Sequence, residues 1–201
     1  MKIIGITGSS GSGKSTVCEI LKQKYLVKII DADVIAKRLS TKGTKYLAEI
    51  CKVFGTDILD EQGNLNRRKL ASIIYSSAQA REKLNECTFK YIKQEIKQEI
   101  ESTKENISII IDAPLLFESG LNEWCSCIIG VISTKELQLQ RVVIRDNISY
   151  EQAEKRLYAQ KANGFYKKNC DMLIQNNNNI SEIKEQIDVV AQKCNITKKL
   201  Q

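Results

Sequence analysis

With 201 residues, 42% of them hydrophobic and 27% charged, the chain can bury a core without disulfide or metal staples, and no apolar run is long enough to span a membrane. Its 31 basic and 24 acidic side chains leave a net charge of +7, which favours anionic partners such as nucleotides, nucleic acid or an acidic surface. Histidine is absent, so mechanisms built on a His base, a His metal ligand or a Ser-His pair are excluded.

The N-terminal stretch Met1–Thr7 is too short in apolar residues for a secretory leader, which predicts a cytoplasmic address. Lys2 to Thr7 instead reads as a short buried strand that runs into glycine-rich chain. A helix is predicted over Lys14 to Tyr25, with Val17, Cys18, Ile20 and Leu21 on its apolar side. Further apolar runs follow at Val27–Ile30, Ile107–Ile111, Cys127–Ile132 and Met172–Ile174. Continuous apolar runs that alternate with helical segments predict a parallel sheet covered on both faces. Between the second and third runs lies a long helical stretch, roughly Val34 to Thr103, broken at Gly55 and Gly63. A simple crossover needs far fewer residues, so this stretch reads as an inserted lobe. Ser149-Tyr150-Glu151-Gln152 predicts a capping box, and Ile183, Ile187, Val190 and Cys194 mark one face of a last helix. The seven cysteines form no Cys-x-x-Cys pair and fit a reducing compartment, where a buried thiol acts as a small hydrophobe.

Between the first strand and the first helix, Gly8-Ser9-Ser10-Gly11-Ser12-Gly13-Lys14-Ser15 fills the pattern G-x-x-x-x-G-K-[ST], and Thr16 follows. Glycines let the backbone turn tightly and approach a ligand, and successive N–H groups at a helix N-terminus then form an anion nest. Gly8, Gly11, Ser12, Gly13, Lys14, Ser15 and Thr16 are therefore the candidate nucleotide-binding residues. Lys14 is placed to reach the β- and γ-phosphates of ATP, and Ser15 to bind Mg²⁺. No guanine-reading Asn-Lys-x-Asp element occurs, and the chain is short for a large motor, which leaves a small kinase acting on a metabolite.

Such an enzyme needs a carboxylate near the acceptor hydroxyl, an acid near the metal, and arginines around the transferring group. Asp31 and Asp33 stand just beyond the second strand, a position the sequence reading sets beside the phosphate loop. Asp33 is the candidate base or hydroxyl-orienting residue; the same carboxylate suits a cap on a helix beginning at Val34. Asp112 closes the third strand as a second metal candidate. Arg141 and Arg145, four apart on a predicted helix, face one side together and with Arg156 supply the lid arginines. Arg67 and Arg68 lie in the inserted lobe as candidate substrate contacts, and a solvated charged face is the plain alternative for all of these arginines.

Several blocks together carry a family resemblance: Ile4-Gly5-Ile6-Thr7-Gly8, Asp31-Ala32-Asp33, Gly63-Asn64-Leu65-Asn66-Arg67 with Leu70, and Asp112-Ala113-Pro114-Leu115-Leu116-Phe117-Glu118-Ser119-Gly120-Leu121. Gln138 with Arg141 and Arg145, Arg156 with Gln160, Cys170-Asp171 and Asn176 complete the set. The chain resembles the dephospho-coenzyme A kinases over nearly its whole length. The resemblance implies an α/β fold of the P-loop NTPase type, a doubly wound parallel five-stranded sheet with an inserted helical substrate lobe and a lid. It implies a core at 1–33, 105–135 and 170–201, a lobe at 34–104 and a lid at 136–169. It implies ATP-dependent phosphorylation of the ribose 3′-hydroxyl of dephospho-coenzyme A, with Mg²⁺, in a monomer with no nucleic-acid or membrane partner. Asp33, Lys14, Arg141 and Arg145 then become the catalytic set. Ser15 and Asp112 become the metal set, and Arg67, Leu115, Leu116, Phe117 and Glu118 line the acceptor site with Asp33. One departure is visible: many relatives carry His-Pro in the long helix of the lobe, where this chain has Phe89-Lys90. A polar tract at Asn176–Asn179 is read either as an adenine contact or as sequence drift in a loop.

Overall fold

The computed structural model describes residues 1–177 and 179–199, the side chain of Tyr75 excepted. Five strands form one parallel sheet: β1 (Ile3–Thr7), β2 (Val27–Asp31), β3 (Ser108–Asp112), β4 (Cys127–Ile132) and β5 (Met172–Gln175). Their order across the sheet is β2-β3-β1-β4-β5. The placement of β2 corrects the sequence reading, because β3 and not β2 is the strand beside β1. The strand that ends in Asp112 is thus the one next to the phosphate loop, with Ile6 opposite Asp112 in register. Nothing in local sequence distinguishes the two neighbours, since both strands are short apolar runs ending in Asp.

The chain divides into two compact units, Met1–Ile30 with Thr103–Gln201, and Asp31–Ser102. In the first, Ile4, Ile6, Ile110, Ile129, Val131 and Ile174 project from one face of the sheet. They meet α1 (Lys14–Lys24), through Val17 and Leu21, and α9 (Ile180–Lys193), through Ile183, Ile187 and Ala191. Each such side chain removed from water contributes about 1.5–3 kcal/mol before entropy is counted. The thiols of Cys127 and Cys194 lie 3.1 Å apart beside this cluster. On the opposite face Gly5 leaves room for Leu116, whose Cδ2 would sit 2.7 Å from a Cβ at that position. The C-terminal part of this unit adds α6 (Lys135–Asp146), α7 (Tyr150–Tyr158) and α8 (Asn163–Asn169). The expected capping box starts α7: Ser149 accepts from Gln152 N while the Gln152 side chain accepts from Ser149 N.

The second unit is helical: α2 (Ala32–Leu39), α3 (Lys45–Phe54), α4 (Arg67–Ser76) and α5 (Ala78–Glu101). Its core joins Tyr46, Leu47 and Ile50 of α3 to Leu84, Ile92 and Ile96 of α5. Gly55 ends α3 in a positive-φ conformation, and Gly63 turns a small loop closed by the Leu59–Leu65 bridge. The break between α4 and α5 falls at Ser77, whose Oγ accepts from Ala80 N. Lacking a glycine or proline, that break has no strong sequence signal. Among the described residues no helix is long and apolar enough to cross a membrane.

Candidate active site

The phosphate loop occupies residues 8–13, between β1 and α1. Gly13 precedes the first helical residue at φ 91°, and no side chain caps α1, nor does its first turn hold an acidic residue. The helix therefore begins with its N–H groups and its positive dipole end offered to an external anion. Gly13 is required twice over. Its φ disfavours any side chain, and a Cβ there would lie 1.8 Å from Asn176 Nδ2. Ser12 is fully buried with an Oγ that has no hydrogen-bond partner among the described residues, an orphan that a bound oxyanion would satisfy. Lys14 Nζ donates to Gly8 O at 2.8 Å and so lies across the loop it belongs to. Ser15 is exposed and Thr16 half-buried on the first turn of α1. Asp112, 9% exposed, stands at the end of β3, and Cys18 Sγ donates to its Oδ2 at 3.5 Å. The donor set of a Ser15 hydroxyl and an Asp112 carboxylate consists of hard oxygens, which suits Mg²⁺ rather than a softer metal.

The three grouped arginines part company. Long helical side chains lean toward the helix N-terminus, and Arg141 follows this rule onto the loop. Its Nη1 donates to Gly11 O at 2.9 Å and Ser133 Oγ at 3.3 Å, and its Nη2 to Asn176 O at 3.0 Å and Asn176 Oδ1 at 2.9 Å. Burial lowers the Arg141 pKa from its ordinary value, although a guanidinium stays charged at any working pH. Arg145 turns the other way and grips Asp146, Nε to Oδ1 at 2.8 Å and Nη2 to Oδ2 at 2.9 Å. Arg156 Nη1 joins the same carboxylate at 2.6 Å. These hydrogen bonds, that of Arg145 first, hold the Asp146 carboxyl below its usual range. Four-residue spacing fixes a shared helix face, but the partner within reach decides where each guanidinium goes.

Two glutamines complete the loop's surroundings. Gln138, 6% exposed, donates to Ser9 Oγ at 2.9 Å, and Gln160 bonds Ser10 through both its amide oxygen and nitrogen. Gln138, Gln160 and Asn176 stand in the family pattern, but no local rule assigns them a role. Only the fold brings residues 129 and 150 positions apart in sequence together. Asn176 is buried and tied to Arg141, Asn179 caps α9, and Asn178 lies outside the described residues. Two residues of the tract thus have structural partners of their own.

The turn after β3 presents two faces. Leu116 is fully buried against Gly5, so it supports the turn instead of lining an acceptor site; Gly5 opposite it makes that burial possible. Leu115 and Glu118 are exposed, and Phe117 meets Phe165 edge to face at 5.2 Å. Burial, with Glu118 nearby, raises the pKa of Tyr166, the next ring in this aromatic row. Burial also pushes the Cys125 and Cys170 thiols up to about 12 and about 11, which keeps both protonated and poor nucleophiles near neutral pH.

Within the helical unit Asp33 is exposed in the first turn of α2. The helix begins at Ala32 and its cap is Asp31, whose side chain accepts from Asp33 N and Val34 N. This corrects the capping alternative for Asp33: its neighbour holds that position. Arg67 opens α4 and donates to Ser40 Oγ, at the C-cap of α2, at 3.3 Å. Seven residue steps of helix lie between Asp33 and Ser40, about 10 Å of rise. Arg68 is exposed beside it. The helix α5 runs unbroken through Phe89-Lys90, as expected without proline. Lys90 lies 3.5 Å from Glu49, which also accepts from Tyr91 OH at 2.5 Å.

The sequence model of the dephospho-CoA kinases matches residues 2–182. The chain belongs to the dephospho-CoA kinase family. Among its relatives is the dephospho-CoA kinase of Fusobacterium nucleatum, 41% identical over 92% of this chain and 95% of that one. A solved dephospho-CoA kinase from Campylobacter jejuni is 30% identical, with TM-score 0.67 over 95% of this chain and 96% of that one. The crystal structure of TT1252 from Thermus thermophilus superposes at TM-score 0.83, with 26% identity, covering 96% and 97% of the two chains. As a dephospho-CoA kinase family member the protein is a kinase with a P-loop NTPase-type fold, and membership implies the final step of coenzyme A synthesis.

Proposed function

We propose that the protein transfers the γ-phosphoryl group of ATP to the ribose 3′-hydroxyl of dephospho-coenzyme A, in line and without a covalent enzyme intermediate. The observation that carries this reading is the phosphate loop. Its helix is uncapped, Ser12 Oγ is an orphan, and Gly13 leaves no room for a side chain, all within a chain of this family. Gly8, Gly11, Ser12, Gly13, Lys14, Ser15 and Thr16 hold the triphosphate through main-chain N–H groups and hydroxyls. Lys14 exchanges the Gly8 carbonyl it now contacts for the β- and γ-phosphates. Ser15 and Asp112 would hold Mg²⁺, which would supply neutralisation of the phosphate charge. Arg141 adds a fixed positive charge beside the loop, and Arg145 supplies a second by leaving Asp146 when substrate is present. Asp33 orients the acceptor hydroxyl and takes its proton, while Arg67, Leu115, Phe117 and Glu118 contact the rest of the acceptor. Catalysis on this scheme is positioning and electrostatics, as phosphoryl transfer requires. The absence of histidine and the raised pKa values of the Cys125 and Cys170 thiols agree with a mechanism that has no nucleophilic side chain. The test is product identification. Phosphorus and proton NMR of the ATP and dephospho-coenzyme A reaction should place the new phosphate on the 3′-oxygen, and Lys14→Ala should slow its appearance by orders of magnitude. Phosphate at another position, or none, refutes the assignment.

A further inference from the structure

We infer that Gln160 is a positioning residue for this reaction: by holding Ser10, it fixes the first peptide planes of the phosphate loop. The inference rests on the phosphoryl-transfer reading above. One carboxamide engages one residue twice. Gln160 Oε1 accepts from Ser10 N at 2.7 Å, and Gln160 Nε2 donates to Ser10 Oγ at 3.0 Å. A peptide unit is planar, so the N–H of Ser10 and the C=O of Ser9 turn together. That carbonyl accepts from Ser12 N at 3.2 Å. The Ser9–Ser10 plane is thus pinned at both ends, by Gln160 on its N–H and by Ser12 on its C=O.

The neighbouring residues are held from the same side. Gln138 Nε2 donates to Ser9 Oγ at 2.9 Å. The Gln138 carbonyl stands 2.5 Å from where a Cβ on Gly11 would be. Gln160 follows the C-terminal end of α7, where its N–H donates to Leu157 O at 3.1 Å, which anchors the backbone that carries the amide. Ser9, Ser10 and Gly11 therefore rest on α6 and on the turn after α7.

The consequence is geometric. With its N–H spent on Gln160, Ser10 does not contribute that donor to the anion nest, and the remaining donors keep fixed directions. Without Gln160 the plane keeps only the Ser12 N–H to Ser9 O restraint, its orientation loosens, and the outer end of the nest loses its alignment with the terminal phosphate. A misplacement of about 1 Å at a reacting group costs about a hundredfold in rate. Gln160→Leu should therefore lower kcat by about ten- to a hundredfold, with ATP affinity changed less than about threefold. Affinity changes little because most nest donors lie on the far side of Ser10.

The experiment compares wild type, Gln160→Leu, Gln160→Glu and Ser10→Ala. It measures kcat and KM with ATP and dephospho-coenzyme A, ATP affinity by calorimetry, melting temperature, and hydrogen exchange at the Ser10 amide. A carboxylate still accepts from Ser10 N–H and from its hydroxyl, so Gln160→Glu should restore slow Ser10 exchange, which Gln160→Leu accelerates. Ser10→Ala keeps the amide bond and should lose less turnover than Gln160→Leu. Gln160→Leu with wild-type kcat overturns the inference, as does a kcat loss that merely follows a lower melting temperature, or Ser10 exchange unchanged from wild type. Wild-type protein that turns over no dephospho-coenzyme A refutes the function proposed above; unaltered Ser10 exchange in Gln160→Leu would then separately refute the hold of Gln160 on the loop.

Discussion

Gly13→Ala tests whether the phosphate loop is built around its glycine for two separable reasons. The first is backbone strain: at φ 91° an alanine costs about 1–2 kcal/mol relative to its preferred conformation. Part of this is returned, about 0.4–1 kcal/mol, because alanine restricts the unfolded chain. The second is contact: the new Cβ would fall 1.8 Å from Asn176 Nδ2, so the amide must leave. Its departure breaks the Arg141–Asn176 Oδ1 bond of 2.9 Å, a hydrogen bond to a charged group worth about 1.5–3 kcal/mol. Together these give a loss of about 2–4 kcal/mol, or a melting temperature lower by roughly 4–16 °C at this chain length. Thermal unfolding followed by circular dichroism measures it. The two parts separate in an Asn176→Ala background, where the contact is already gone and Gly13→Ala should cost only about 1 kcal/mol. A Gly13→Ala protein that melts with wild type, or one that loses as much in the Asn176→Ala background, would refute the reasoning.

Asp33→Asn should reduce kcat by about a hundredfold or more while ATP affinity, measured by calorimetry, stays within about threefold. Leu116→Ala should destabilise by about 2–5 kcal/mol in denaturant unfolding, because a fully buried side chain is replaced by a cavity beneath Gly5. Asp188→Asn reports on the C-terminal helix: Lys24 Nζ at 2.5 Å and Tyr25 OH at 2.5 Å hold the Asp188 carboxyl below its ordinary pKa. A depressed carboxyl stabilises above its unfolded pKa and loses that stabilisation as pH falls through the folded value. The difference between wild type and Asp188→Asn, read from denaturant midpoints, should therefore be constant from about pH 5 to 8 and shrink below about pH 4. A difference that grows on acidification contradicts this sign.

Much of the architecture is legible in local sequence. The apolar runs at β1, β3 and β4 have few polar interruptions because both faces of those strands are covered, and their ends are right to within about two residues. The loop at 8–16 announces itself because its chemistry is made by consecutive backbone groups, so the whole device lies in one stretch of chain. The order of strands is not legible: β2 and β3 both read as apolar segments ending in Asp, and only sheet pairing sets β3 beside β1. The surroundings of the loop are also illegible for a physical reason. Gln138, Gln160, Ser133 and Asn176 act through hydrogen bonds to residues far along the chain, and no period or spacing encodes such pairs. Arg141 and Arg145 show the limit of a helix-face argument. The spacing is right, yet one guanidinium lies on Gly11 and the other on Asp146. Leu116 shows the reverse error, where membership of a family block suggested a ligand contact and burial against Gly5 shows a packing role.

The most direct trial of the central claim is an acceptor panel. Purified protein is given ATP with dephospho-coenzyme A, a nucleoside, a nucleoside monophosphate or no acceptor, and ADP release and phosphorylated product are measured together. The account predicts a kcat/KM for dephospho-coenzyme A far above that for every other acceptor, with ADP and product in equal amounts. Preference for a nucleoside or its monophosphate, or ADP release without phosphorylated acceptor, would contradict it.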